Sequence, residues 1–120
     1  MGGKSSRTKG QVGEREICKI LGDALSISLD RNLEQTRDGG CDIVLYHWAI
    51  EVKRQEKLQV DKWWEQACVQ AEDSHRHPVL IFRKSRNPWR VLMPVSLSKD
   101  PRIHYMHTDL DYFIERIKAD

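Results

Sequence analysis

Alternating apolar and polar positions at residues 39–53 predict a β-hairpin with a two-residue turn at Tyr46 and His47. In this register the apolar side chains share one face, and they are Ile43, Leu45, Trp48, Ile50 and Val52. The other face carries the polar side chains of Asp42, Glu51 and Lys53, since residues two apart on a strand point the same way. The apolar face is suited to burial, and the polar face brings two carboxylates and one amine together.

Apolar spacing along the rest of the chain predicts an α/β fold. Helical spacing predicts helices at about residues 11–25, 60–73 and 109–118, the last capped by Thr108. Alternating or continuous apolar runs predict further strands at residues 25–29, 78–82 and 89–94. The element order α-β-β-β-α-β-β-α therefore predicts a mixed central β-sheet flanked by helices, with a parallel β-α-β crossover through the second helix.

The two carboxylates of the hairpin predict a cation site. Asp42 lies opposite Glu51 in this register, and opposed residues lie about 5 Å apart at Cβ, where like charges repel. Mg²⁺ binds carboxylate oxygens and keeps several of its waters, so it would relieve this repulsion. The alternative interpretation is a solvated strand face on which Glu51 pairs with Lys53.

Glu14 is a third candidate for this site. It falls near the centre of the apolar stripe of the first helix, whereas Arg15, Glu16 and Lys19 fall on the opposite, solvated side. A carboxylate that points into a core needs a partner, because burying it unpaired is costly. Alternatively, Glu14 lies at an exposed helix start, where the helix dipole favours a negative charge.

Length and composition predict a single domain. The chain has 120 residues, of which residues 1–8 are predicted to be a flexible basic arm and residues 9–120 one domain. A net charge of +2 means that any nucleic-acid surface must come from the placement of basic residues. No apolar run approaches the about 20 residues of a membrane span, and no signal core is seen, so we expect a cytoplasmic protein. The cysteines, Cys18, Cys41 and Cys68, are expected to be reduced.

Two motifs resemble known nucleases. Asp42 followed by Glu51-Val52-Lys53 on the next strand resembles the signature of the PD-(D/E)XK nuclease superfamily, with Cys41 in place of its proline. The stretch Lys9-Gly-Gln-Val-Gly-Glu-Arg-Glu16 is similar to the opening of the archaeal-type Holliday junction resolvases, which have Lys-Gly and then Glu-Arg-Glu on a first helix. The resemblance covers residues 9–53 and is vague beyond them.

This resemblance implies a restriction-endonuclease-like core and a Mg²⁺-dependent DNA endonuclease, with Mn²⁺ as a substitute. It implies a homodimer that makes paired symmetric nicks in branched DNA, without a nucleotide cofactor and without a membrane. The expected metal ligands are Asp42, Glu51, Glu14 and the backbone carbonyl of Val52. Lys53 is expected to orient the attacking water, and Gln66 on the second helix is a further catalytic candidate.

Basic residues are candidates for contacts to DNA phosphates, which would be led by shape and independent of base sequence. They are Lys4, Arg7, Lys9, Arg15, Arg31, Arg37, Arg54, Lys57, Lys84 and Arg86. Two other hypotheses stay open at this point. The protein could be a repair, restriction-like or processing nuclease that acts on duplex DNA without junction specificity, or a catalytically inactive DNA-binding protein of the same fold.

Overall fold

The computed structural model describes the backbone of residues 2–32 and 41–119, and the side chains of residues 10–32 and 41–119. Its elements are helix α1 (Gly2–Leu25), strands β1 (Ile43–Leu45) and β2 (Trp48–Arg54), helix α2 (Val60–Asp73), strands β3 (His77–Arg83), β4 (Arg90–Pro94) and β5 (Tyr105–Asp109), and helix α3 (Leu110–Ala119). Across these residues the fold is a five-stranded mixed sheet with three helices. The predicted α/β class is confirmed.

The sheet has the strand order β1-β2-β3-β4-β5. Strands β2 and β3 are parallel, and the other neighbouring strands are antiparallel. The parallel pair arises because α2 carries the chain from the end of β2 back to the start of β3, as parallel strands require. The predicted β-α-β crossover is confirmed.

The hairpin of β1 and β2 has the predicted register. Ile43 pairs with Ile50 and Leu45 pairs with Trp48, so the turn consists of two residues. Tyr46 has a φ angle of 53°, a left-handed conformation that is uncommon for residues other than glycine. The five apolar residues predicted to share one face all lie in one buried core cluster. Burial of that face therefore fixes the register, because a one-residue slip would expose it.

The predicted strand at residues 25–29 is wrong. Helix α1 ends at Leu25 in a Schellman motif, in which Ser26 has a φ angle of 56° and the Ile27 N–H donates to the Gly22 carbonyl at 3.0 Å. Ile27 and Leu29 pack on the core from an irregular segment, which explains the alternation in the sequence. Strand β5 was not predicted, so the observed order is α-β-β-α-β-β-β-α.

Two helix starts also differ from the sequence predictions. Helix α1 begins at Gly2, before the apolar pattern that starts near residue 11, and it includes most of the predicted arm. The proposed division into an arm and a domain stays a prediction. In α3, Asp109 rather than Thr108 is the cap, because its Oδ1 accepts the Tyr112 N–H at 2.8 Å.

The core consists of apolar layers on both faces of the sheet. Helices α1 and α3 cover one face, where Ile17, Leu21 and Phe113 are fully buried. Helix α2 covers the other face with Trp63 and Trp64. Each fully buried large side chain contributes about 1.5–3 kcal/mol, so both faces stabilise the sheet. No helix in the described part of the chain is long and apolar enough to span a membrane.

Candidate active site

The site begins where strand β1 stops short of its neighbour. Strand β1 pairs with the first part of β2 only, up to Ile50, whereas β3 continues beside β2 as far as Arg54. Within the described residues, no strand covers the β1 side of β2 from Glu51 onward. We call this edge of β2, from Glu51 to Arg54, the notch.

Asp42 points into the notch. Its Oδ2 accepts the backbone N–H of Val52 at 2.7 Å, taking the place that a longer β1 would fill. Asn32 fixes the preceding backbone, because its N–H donates to the Asp42 carbonyl at 2.7 Å and its side chain donates to the Cys41 carbonyl at 3.0 Å. Sequence reasoning missed Asn32, since nothing in its spacing indicates a contact across the undescribed segment 33–40.

The carboxyl groups around the notch lie in poor contact with water. Glu14, Asp42 and Glu51 are the buried charged residues in the described part of the chain, with 8%, 7% and 5% of their surface exposed. Burial, and then hydrogen bonding to Glu51 and its charge, raise the pKa of Asp42 to about 8. The Val52 N–H and the charge of Lys53 oppose this rise. Without a cation, the Asp42–Glu51 pair therefore favours holding a proton at neutral pH.

Glu14 approaches the same pair from helix α1, and its side chain points inward as the helical spacing predicted. Burial, and then the negative charge of Asp42, raise the pKa of Glu14, whereas Arg31 lowers it. The Arg31 Nε donates to Glu14 Oε2 at 2.6 Å. Glu14 thus has a cationic partner on one side and Asp42 on the other.

Gly13 allows α1 to lie close enough for this approach. A Cβ at this position would lie 3.3 Å from the Arg54 Cβ and 3.4 Å from the Trp89 ring. These distances leave space for hydrogen but little for a larger group. The glycine therefore brings the helix against β2 and places the next residue, Glu14, beside Asp42.

Two glutamines of α2 differ in their surroundings. The catalytic candidate Gln66 is exposed. One turn later, Gln70 has a buried amide oxygen, Oε1, without a hydrogen-bond partner among the described residues. Its neighbour Ala71 packs on Cys41, which directly precedes Asp42. Gln70, and not the exposed Gln66, therefore has the buried amide oxygen, which was not visible from sequence.

The basic candidates fall into distinct settings. Exposed side chains are those of Arg15, Lys57, Lys84 and Arg86. Arg31 is paired with Glu14, and Arg54 with Glu16. Glu16, expected on the solvated face, also accepts hydrogen bonds from Arg83, so that expectation was wrong. Arg37 and the side chains of Lys4, Arg7 and Lys9 lie outside the described residues.

A comparison with protein-family models matches residues 5–119 to the family described as phage putative PDDEXK endonuclease. The chain belongs to this family. The match confirms the PD-(D/E)XK superfamily predicted from Asp42 and Glu51-Val52-Lys53. The narrower resemblance to Holliday junction resolvases stays a prediction. Neither the curated proteins nor the solved structures that were compared gave a match.

PD-(D/E)XK nucleases generally use divalent metals, and the donor atoms of the notch fit such an ion. No group of three or more His, Cys, Asp or Glu side chains in the described ranges is arranged to hold a metal. Asp42 and Glu51 nevertheless offer two buried carboxyl groups. The Val52 carbonyl faces them as well, because the N–H and C=O of one strand residue point to the same neighbour. Carboxylate and carbonyl oxygens of this kind are the donors that hard divalent cations take.

Proposed function

We propose that the protein is a Mg²⁺-dependent DNA endonuclease whose metal ligands are Asp42, Glu51 and the Val52 carbonyl. The observation that carries the proposal is the buried pair of carboxyl groups at the uncovered edge of β2, next to Lys53. Such a pair destabilises the metal-free fold, and a divalent cation would reverse this effect. Membership of the PDDEXK endonuclease family supports nuclease activity.

The residues of the notch have separate roles in phosphodiester hydrolysis. When bound, Mg²⁺ supplies a Lewis acid and a template for the phosphate oxygens. Asp42 is held in one orientation by the Val52 N–H, and Glu51 lies on the rigid centre of β2. Glu14, kept in place by Arg31, would bind water near these two residues. The amine of Lys53 would orient the attacking water and stabilise negative charge on the phosphate.

The substrate that we propose is branched DNA, specifically a four-way junction nicked symmetrically by two copies of the chain. The support is the similarity of residues 9–16 to the opening of the junction resolvases. A processing nuclease that cuts duplex DNA is the second candidate, since the family match supports it equally. An inactive DNA-binding protein is disfavoured, because Asp42, Glu51 and Lys53 are all in place.

Cleavage of a labelled four-way junction, beside a linear duplex of matched sequence, tests this function. The comparison includes Mg²⁺ and EDTA, the wild type, Glu51→Gln, and Glu72→Gln as a control for an exposed carboxylate. We expect paired nicks in the junction with wild type and Glu72→Gln, and none with EDTA or Glu51→Gln. Equal cutting of the duplex would remove junction specificity, and cutting by Glu51→Gln would refute the proposed site.

A further inference from the structure

Two arginines end neighbouring strands beside the notch. Arg54 is the last residue of β2 and Arg83 the last of β3, and their Cα atoms are partners in the parallel register. Neighbouring strands lie about 4.8 Å apart, so the side chains leave the same end of the sheet together. Both contact Glu16 of α1. The Arg83 Nη2 donates to its two oxygens at 2.9 and 3.0 Å, and the Arg54 Nη1 lies 3.4 Å from Oε1.

Arg54, Arg83 and Glu16 form a cluster whose charges do not balance. One carboxylate contacts two guanidinium groups, which leaves one positive charge over. The Nε atoms of Arg54 and Arg83 are buried and have no acceptor among the described residues. The side chains are nevertheless 22% and 18% exposed, so an anion can reach the guanidinium ends. Buried donors without partners call for an explanation, and they show that the described residues do not use the full hydrogen-bonding capacity of either guanidinium group.

The guanidinium group of Arg83 is held by contacts on several sides. The guanidinium carbon of Arg83 lies 4.8 Å from the centre of the Trp89 ring, within the range of a cation–π contact. Its Nη1 contacts the Asn87 carbonyl at 3.5 Å. Planar guanidinium groups held in this way suit the two-point recognition of phosphate oxygens.

Its position relates it to the proposed catalytic residues. Arg54 directly follows Lys53, with Cα atoms about 3.8 Å apart. Glu16 lies two residues after Glu14 on the same helix. The segments that build the notch therefore also build the cluster. Lys53 and Arg54 point to opposite faces of the sheet, so a DNA strand that contacts both passes around the end of β2. The exposed side chains of Lys84 and Arg86 follow directly after Arg83.

We propose that Arg54 and Arg83 form a binding site for a DNA phosphate next to the one that is cut, and that Glu16 occupies this site when DNA is absent. The inference rests on the proposed nuclease function and adds a residue set to it. On DNA binding, a phosphate takes over the guanidinium donors that Glu16 holds. Removing Arg83 and removing Glu16 should then have opposite effects on DNA affinity.

Fluorescence anisotropy with a labelled duplex in EDTA, which prevents metal-dependent cleavage, measures this affinity. The proteins are the wild type, Arg83→Gln, Arg83→Lys, Glu16→Gln and the control Arg102→Gln, which removes an exposed arginine paired with Glu72. Thermal melting of each protein sets a temperature at which all are folded. Arg83→Lys keeps the positive charge, and Glu16→Gln, which frees both guanidinium groups, still tests the proposal should Arg83→Gln not fold.

One lost phosphate contact lowers the slope of log affinity against log salt by about 0.9. Between about 50 and 200 mM salt, wild-type affinity should therefore fall about 3.5-fold more than that of Arg83→Gln. Arg83→Lys should keep the wild-type slope, and Glu16→Gln should bind more tightly than the wild type.

A cluster that only docks α1 on the sheet predicts another result. Arg83→Gln and Glu16→Gln would then lower the melting temperature together and keep the affinity and salt slope of Arg102→Gln. If the wild type still bound and cut DNA, that outcome would overturn the phosphate site and leave the nuclease function standing. A wild type that neither binds nor cuts DNA would overturn the nuclease function as well.

Discussion

Replacing Asp42 by asparagine should remove most of the pH dependence of stability in the metal-free protein. The pKa of Asp42 is about 8 in the fold against an ordinary value of 3.8. At a pH between these two pKa values, the folded state therefore keeps a proton that the unfolded state has released. The contribution of Asp42 to stability is therefore largest below pH 4 and is lost as pH rises towards 8, by up to about 1.4 kcal/mol per pH unit.

From pH 5 to pH 8 this single group lowers the free energy of unfolding by about 4 kcal/mol. That is a large part of the total unfolding free energy of a small domain, which is typically about 5–15 kcal/mol. Asp42→Asn keeps the acceptor for the Val52 N–H but cannot ionise. Its unfolding free energy should therefore change far less across the same range. The raised pKa of Glu14 also lowers stability as the pH rises. Part of that rise in pKa comes from the charge of Asp42, which the substitution removes.

Urea unfolding in EDTA at pH 5, 6, 7 and 8, followed by tryptophan fluorescence, measures the effect. Asp23→Asn is the control, because Asp23 is an exposed aspartate paired with Lys19. Burial lowers the pKa of His77, so this residue raises stability as the pH rises. Because His77 is present in every variant, its effect cancels when the pH dependence of a variant is compared with that of the wild type. Equal pH dependence in the wild type and Asp42→Asn would refute the electrostatic interpretation of the pair.

Four further substitutions test the packing of the site and the cap of α3. Gly13→Val should lose about 1–3 kcal/mol of unfolding free energy in urea and cut DNA more slowly, because its methyl groups displace α1. Gln70→Leu should slow cleavage without lowering the melting temperature, whereas Gln66→Leu should change neither, since only Gln70 has a buried oxygen. Asp109→Ala should cost about 0.5–2 kcal/mol in urea by removing the α3 cap, with cleavage by folded protein unchanged. The first prediction would be contradicted if Gly13→Val unfolded in urea as the wild type does, and the second if the two glutamine variants cleaved DNA at equal rates. The third would be contradicted if Asp109→Ala had the unfolding free energy of the wild type.

The hairpin and the crossover could be predicted because their signals are local. Period-two alternation determines which residues of β1 and β2 face the core, and one face of strongly apolar residues allows one register. The segment at residues 25–29 shows the limit of this signal. A helix cap followed by an irregular segment can bury alternate residues as a strand does. Strand β5 gives a weak signal because its residues alternate only between exposed and half-buried positions.

The carboxylates of the site were visible from sequence because polar residues among apolar ones are unusual. Asp42 and Glu51 interrupt a buried hairpin, and Glu14 interrupts an apolar helical stripe. Their partners were not visible. Arg31 lies 17 residues from Glu14, and Arg83 lies 67 residues from Glu16, so these pairs depend on how α1 packs on the sheet. Periodicity carries no information on such contacts.

Calorimetric titration of the protein with Mg²⁺ or Mn²⁺ at pH 7 tests whether the Asp42–Glu51 pair is a cation site. Wild type and Glu72→Gln should bind the ion and release roughly one proton, detected as a difference between buffers of unlike protonation enthalpy. Glu51→Gln should show neither effect. Equal binding by Glu51→Gln and the wild type, or no binding by the wild type, would contradict a metal-dependent nuclease site in the notch.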